Sequence, residues 1–229
     1  MATFEVIEQV TAGDGTEVSL ARRGDEWVIR AGSHILMSSR THGSEEALAE
    51  VAFEHARSPR RIVVGGLGLG YTLRAVLDRA AKDARVVVAE LLPAVVTWNR
   101  DRLGHLAGRP LDDPRVSVSV GDVADTLASA RGTLDVVLLD VDNGPEVVAH
   151  AKNAALYSEQ GIRRCRDALA PGGVLAVWSA GPDARYAARL AKLGFGVETL
   201  RASARGGTTP ARGAKHVIFV AKKAVKSNS

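Results

Sequence analysis

Six consecutive residues, Gly65-Gly66-Leu67-Gly68-Leu69-Gly70, close an apolar run and open a helical pattern. Glycines at such a junction allow a tight turn and let backbone N–H groups approach a ligand closely. A dinucleotide fingerprint would need a glycine where Tyr71 stands; the spacing is instead Gly66, Gly68, Gly70. Acidic residues then close the following apolar runs: Glu90, Asp122 in Val120-Gly121-Asp122-Val123, and Asp140 and Asp142 in Leu138-Leu139-Asp140-Val141-Asp142. A carboxylate at position 90 can accept both hydroxyls of a ribose. Asp122 can accept an adenine amino group, and it is equally placed to cap a helix starting at Val123. Asp140 and Asp142 can stabilise a cation, orient an amine or take its proton. A turn over Asp142-Asn143-Gly144-Pro145 competes for the second of them.

These residues are useful only if a scaffold aligns them. From residue 61 onward, Val-rich runs alternate with amphipathic segments of helical length. Strands are predicted at 61–65, 85–90, 116–120, 134–140 and 173–178, with helices at 71–80, 92–103, 123–129 and 158–169. Runs that are apolar on both faces and alternate with helices indicate an α/β doubly wound domain with a buried parallel sheet. Ligands of such sheets bind beyond the carboxyl ends of the strands, where these glycines and acids fall. A helix at 183–193 and strands at 196–201 and 215–221 complete the pattern. Ahead of it, short runs at 4–10, 17–21, 27–30 and 34–37 read as a small antiparallel meander. A helix at 44–57 follows, with Ser44 as its cap and Glu45 and Glu46 in its first turn. The expected division is an N-terminal β region at 1–43, a catalytic domain at 44–222 and a basic polar tail at 223–229.

Composition narrows the function classes. The chain has 229 residues, 46% hydrophobic and 24% charged, which excludes disorder for its bulk. A single cysteine, Cys165, excludes an intrachain disulfide and a cysteine zinc site. The six histidines form no His-x-x-x-His pair, so no metal is expected. No signal peptide or membrane-spanning run is found, which gives a cytoplasmic expectation. The net charge of +4 is spread among both signs. Basic residues gather at 201–226, but without interleaved aromatics they read as solvated surface rather than a nucleic-acid site. His42 lies in a loop that could close over the site. Glu45 and Glu46 could face an amine or simply favour a helix N-terminus. Trp98 and Trp178 are assigned to the core.

The Gly66, Gly68, Gly70 spacing resembles the first motif of Rossmann-like methyltransferases, whose turn holds the amino-acid end of S-adenosylmethionine. Over most of its length the chain resembles the spermidine synthase (polyamine aminopropyltransferase) family within the class I methyltransferase-like fold. The resemblance rests on the N-terminal strands, residues 61–70, Glu90, Asp113-Pro114-Arg115-Val116 leading to Gly121-Asp122, the Asp140 segment, Leu156-Tyr157-Ser158 and Leu169-Ala170-Pro171-Gly172-Gly173. It implies a Rossmann-like sheet, mostly parallel with the last strand antiparallel, beside a small N-terminal β region. It implies a donor site at Gly66, Gly68, Gly70, Glu90 and Asp122, with Glu90 on the ribose and Asp122 on the adenine. Asp140 would deprotonate or orient the attacking amine, and Asp142 and Tyr157 would shape the acceptor pocket. Homodimers are common in that family, and the N-terminal strands could serve one.

Three positions depart from the family pattern. Leu69 stands where the family has an aspartate that binds the donor's terminal amine, Ser44 where it has a tyrosine, and Asp142 follows Asp140 by two residues instead of three. Loss of a charge-assisted bond costs about 1.5–3 kcal/mol. Leu69 therefore tips the reading toward methyl transfer from S-adenosylmethionine to a small-molecule nucleophile. Aminopropyl transfer from decarboxylated S-adenosylmethionine to a polyamine is the alternative, and a catalytically silent nucleotide-binding protein is the third reading.

Overall fold

A computed structural model describes residues 3–141, 155–203 and 216–225. Strands β1 (Glu5–Thr11), β2 (Glu17–Arg23), β3 (Glu26–Ala31) and β4 (His34–Ser38) form an antiparallel meander in sequence order. Its inner face carries Val18, Leu20 and Ile29, which pack in one apolar cluster with Ala47, Leu48 and Val51 of helix α1 (Gly43–His55). The N-cap position of α1 is His42, without a side-chain capping bond. Ser44, expected as the cap, is instead buried within the first turn. Its hydroxyl is engaged by Glu45 and by the distant His216, a tertiary contact that residue type alone does not announce.

Strands β5 (Arg61–Gly65), β6 (Arg85–Glu90), β7 (Val116–Val120), β8 (Leu134–Leu139), β9 (Leu169–Ser179), β10 (Phe195–Ala202) and β11 (His216–Lys223) form one seven-stranded sheet. The order is β10-β11-β9-β8-β5-β6-β7. The pairs β5–β6, β6–β7, β5–β8 and β8–β9 are parallel, and β11 runs antiparallel to both β9 and β10. The mostly parallel sheet with an antiparallel last strand is thus as the sequence implied. Its centre is apolar on both faces, with Val63, Val64, Val137 and Leu138 buried. One face packs against the meander, α1, α2 (Tyr71–Arg79) and α3 (Pro93–Trp98). The other packs against α4 (Val123–Ser129), α5 (Glu159–Ala168) and α6 (Ala184–Lys192).

Two boundaries differ from expectation for physical reasons. The helix predicted at 92–103 ends as α-helix at Trp98 and continues as a wider π-type turn over Asn99–Leu103. There the Asn99 amide donates to both the Val95 and the Gly68 carbonyls. β9 begins at Leu169 rather than at 173, because an irregularity between Leu134 and Val136 absorbs Pro171-Gly172-Gly173 into the ladder. Asp142, nearly all of the 202–214 loop and the end of the tail lie outside the described residues. Among the described residues, no helix is long and apolar enough to cross a membrane.

The connections set the site. From β5 the chain moves outward through β6 and β7, then returns to place β8 on the other side of β5. The carboxyl ends of β5 and β8 therefore meet at the switch point of the sheet, which is where open α/β sheets form clefts.

Candidate active site

The ladder continues past the strand ends and fixes three loops against one another. The Asp140 N–H donates to the Gly65 carbonyl, the Gly66 N–H to Ala89 and the Gly121 N–H to Glu90, each at 2.8 Å. Gly66 adopts a φ of 91°, and a Cβ there would collide with the Asp140 carbonyl oxygen. Gly68, at φ 51°, would bring a Cβ into the Met37 sulfur of β4. Close approach of backbone requires glycine at 66, while at 68 the positive φ favours it and Met37 would have to give way. Gly70 stands at the N-cap of α2.

Glu90 is buried at the end of β6. Its Oε2 accepts the Leu67 N–H and its Oε1 the Leu92 N–H, each at 2.9 Å. Burial raises its pKa, opposed by those backbone donors. Asp122 does cap α4: its Oδ1 accepts the Ala124 N–H at 2.8 Å. It also lines the cleft, so capping does not take it away from that side.

Asp140 is 6% exposed, and its Oδ2 accepts a 2.6 Å hydrogen bond from the Thr72 hydroxyl. Burial, then the nearby Glu45 charge, push its pKa up to about 7, while the Thr72 bond acts the other way. Glu45 is raised too, chiefly by burial and with Glu46 adding to it, against the Ser44 hydrogen bond and the His42 charge. His42 stacks on Tyr71 with ring centroids 4.0 Å apart and holds Glu46 at 2.8 Å.

One cleft gathers Gly66, Gly68, Glu90, Asp122 and Asp140. The same cleft takes residues that local sequence did not single out, Val18, Ile29, Leu36 and Met37 from the meander. It also takes Trp178 from β9, which is buried in the core as assigned and lines the cleft as well. A smaller recess beside it is lined by Met37, Glu45, Leu67, Leu69, Tyr71, Thr72 and Asp140. Thr72 has no local signal. It is found only when α2 is laid against the end of β8. Tyr157, expected at the acceptor pocket, is buried with its ring edge-on to Tyr186 at 5.7 Å and is not among the described cleft residues. It belongs to the core on the opposite face of the sheet. Among the described cleft residues the ionisable groups are Glu45, Glu90, Asp122 and Asp140, with no Lys, Arg or His. Such walls suit a cationic ligand that also offers hydroxyls.

The chain is 32% identical over 151 residues to a polyamine aminopropyltransferase of Aeropyrum pernix, covering 62% of this chain and 47% of that protein. It is 34% identical over 136 residues to polyamine aminopropyltransferase 2 of Pseudomonas aeruginosa, covering 58% and 37%. It thus spans about half or less of the length of these relatives. Its fold is similar to that of a spermidine synthase crystallised with the transition-state analogue AdoDATO, with a TM-score of 0.78 at 20% identity over 96% of this chain and 74% of that one. The spermidine synthase of Thermotoga maritima gives 0.75 at 20% identity, over 96% and 73%. The spermine/spermidine synthase domain matches residues 41–184, more than half of the chain, and the chain belongs to that family.

Proposed function

We propose that this protein transfers an aminopropyl group from decarboxylated S-adenosylmethionine to an amine acceptor of the polyamine class. The carrying observation is the charge of the cleft, whose described ionisable residues are all carboxylates. A sulfonium nucleoside ending in a primary ammonium is a dication, and these walls attract it. S-adenosylmethionine adds a carboxylate that would lie among Glu45, Glu90, Asp122 and Asp140 with no described cation to pair with. The names of the relatives support the same choice. Aminopropyl transfer therefore replaces the methyl transfer that Leu69 had suggested.

In this reading the turn from Gly66 to Gly70 supports the donor, Glu90 takes its ribose hydroxyls and Asp122 its adenine. Asp140 orients the amine and accepts its proton. A carboxyl titrating near neutrality suits that work, because it is available in both forms. The reaction is an in-line displacement at the carbon next to sulfur, so the protein contributes mainly position and electrostatic complementarity. Asp142, outside the described residues, remains a candidate for the acceptor end.

Thermal unfolding with S-adenosylmethionine, its decarboxylated form, methylthioadenosine and NAD tests the reading. A ligand at 100 times its dissociation constant stabilises by about 2.7 kcal/mol. The decarboxylated donor should stabilise most, and mass spectrometry should find an aminopropylated diamine. A larger shift with S-adenosylmethionine, together with a methylated product, would overturn the proposal.

A further inference from the structure

Ser44 joins two parts of the molecule that are far apart in sequence. Its Oγ donates to Glu45 Oε2 at 2.7 Å, and His216 Nδ1 lies 3.0 Å from the same Oγ. A hydroxyl has one proton. When that proton is given to Glu45, His216 Nδ1 must be the donor to Ser44; when Glu45 is protonated, every bond of the chain can reverse. The two arrangements use the same heavy-atom positions and differ by the transfer of one proton from Glu45 to His216. Ser44 is fully enclosed, Glu45 lines both the cleft and the side recess, and His216 is half-buried at the start of β11 against the Trp178 ring, with centroids 4.7 Å apart.

We propose that Glu45, Ser44 and His216 form a proton relay that carries the proton released in the reaction from the cleft to β11. The inference rests on the aminopropyl-transfer reading. That reaction releases one proton: the acceptor ammonium loses H⁺, its nitrogen lone pair forms the new N–C bond, and the C–S pair returns to sulfur as a neutral thioether. The new amine leaves as a secondary ammonium. Asp140 meets the attacking nitrogen, and Glu45, which lines the same recess, takes the proton onward. Transfer through Ser44 leaves Glu45 as a carboxylate and His216 as an imidazolium, which passes a proton to water. Glu45 is faced by Asp140 from the end of β8, Tyr71 from α2, and His42 and Glu46 from its own helix. The last two hold each other at 2.8 Å, and Asp140 shares both the cleft and the side recess with Glu45. Burial also raises the pKa of the Glu45 carboxyl, against the Ser44 hydrogen bond.

Nitrogen-detected NMR of the imidazoles in the full chain tests the wiring without turnover. The His216 titration midpoint and tautomer should change in Ser44→Ala and in Glu45→Gln, and should return toward the wild-type values in Ser44→Thr. Identical behaviour in all four proteins would overturn the relay. Kinetics with decarboxylated donor and 1,4-diaminobutane supply the second arm. Ser44→Ala and His216→Gln should lower kcat about tenfold or more and flatten the acid limb of the pH profile, with donor affinity kept. Wild-type kcat and profile in both variants would also overturn it. Absence of any product from the wild-type protein would instead count against the proposed function, and the NMR arm would then decide the wiring alone.

Discussion

The Thr72 hydroxyl lies 2.6 Å from Asp140 Oδ2 and donates to it, tying the first turn of α2 to the end of β8 inside a buried recess. This bond favours the ionised carboxyl, against the burial and the Glu45 charge that push its pKa up to about 7. Thr72→Val preserves shape and removes the donor. A hydrogen bond to a charged group contributes about 1.5–3 kcal/mol, and one pH unit corresponds to about 1.4 kcal/mol. The midpoint of the acid limb of kcat/KM should therefore move alkaline by about one to two units, with the plateau nearly unchanged. A pH–rate profile of the two proteins checks this, and an unmoved midpoint would separate Asp140 from the limb.

Asp140→Asn should part stability from activity. The carboxyl titrates near 7 in the folded chain against an ordinary 3.8, so the unfolded chain gives up its proton first. The stability this group contributes is full below about pH 4 and is lost as pH rises through 7. The asparagine variant should accordingly melt higher than the wild type at pH 8 and about the same at pH 4. Its kcat should fall by about 10²–10⁴, the range for loss of a general base. Calorimetry at the two pH values, with turnover measured on the same samples, tests both halves.

Much of the scaffold was legible because its signals are local. The β5 turn reads from glycine spacing, and α4 spans 123–129 as predicted because Asp122 caps it. Asp140 stands out as a charge that ends a buried apolar run. What stayed hidden depends on tertiary placement. Glu45 joins Asp140 only because α1 is laid over the strand ends, and the meander contributes Met37 to the glycine turn. Ser44 has the residue type of a cap but is recruited by His216. Tyr157 follows the right strand yet packs on the far face. Leu69 tipped the sequence reading toward methyl transfer, whereas the proposed aminopropyl transfer takes account of Glu45, which lines the same recess.

Glu90 supports a third test. Both of its oxygens already accept backbone N–H groups, from Leu67 and from Leu92. Glu90→Gln turns one acceptor into an amide donor facing a backbone donor, which should cost about 1–3 kcal/mol of stability. Remaining lone pairs on Glu90 are those proposed to take the ribose hydroxyls, so donor affinity should fall by more than tenfold while kcat at saturation changes less. Titration calorimetry with methylthioadenosine, which keeps the ribose and lacks the ammonium, isolates this contribution. An unchanged affinity would remove Glu90 from the ribose.

Gly66 and Gly68 should respond differently to the same substitution. An alanine Cβ at Gly66 meets the Asp140 backbone carbonyl, which the ladder bond from the Asp140 N–H to Gly65 holds in place. At Gly68 it meets the Met37 side chain, whose thioether is flexible. Both glycines have positive φ, so each alanine also carries backbone strain of about 1–3 kcal/mol. Gly66→Ala should therefore destabilise the fold and abolish donor binding, with no relief from changes elsewhere in the meander. Gly68→Ala should be milder, and Met37→Ala should recover part of its lost stability, leaving the strain. A double-mutant cycle in denaturant measures this directly: coupling should appear between positions 37 and 68 and be absent between 37 and 66.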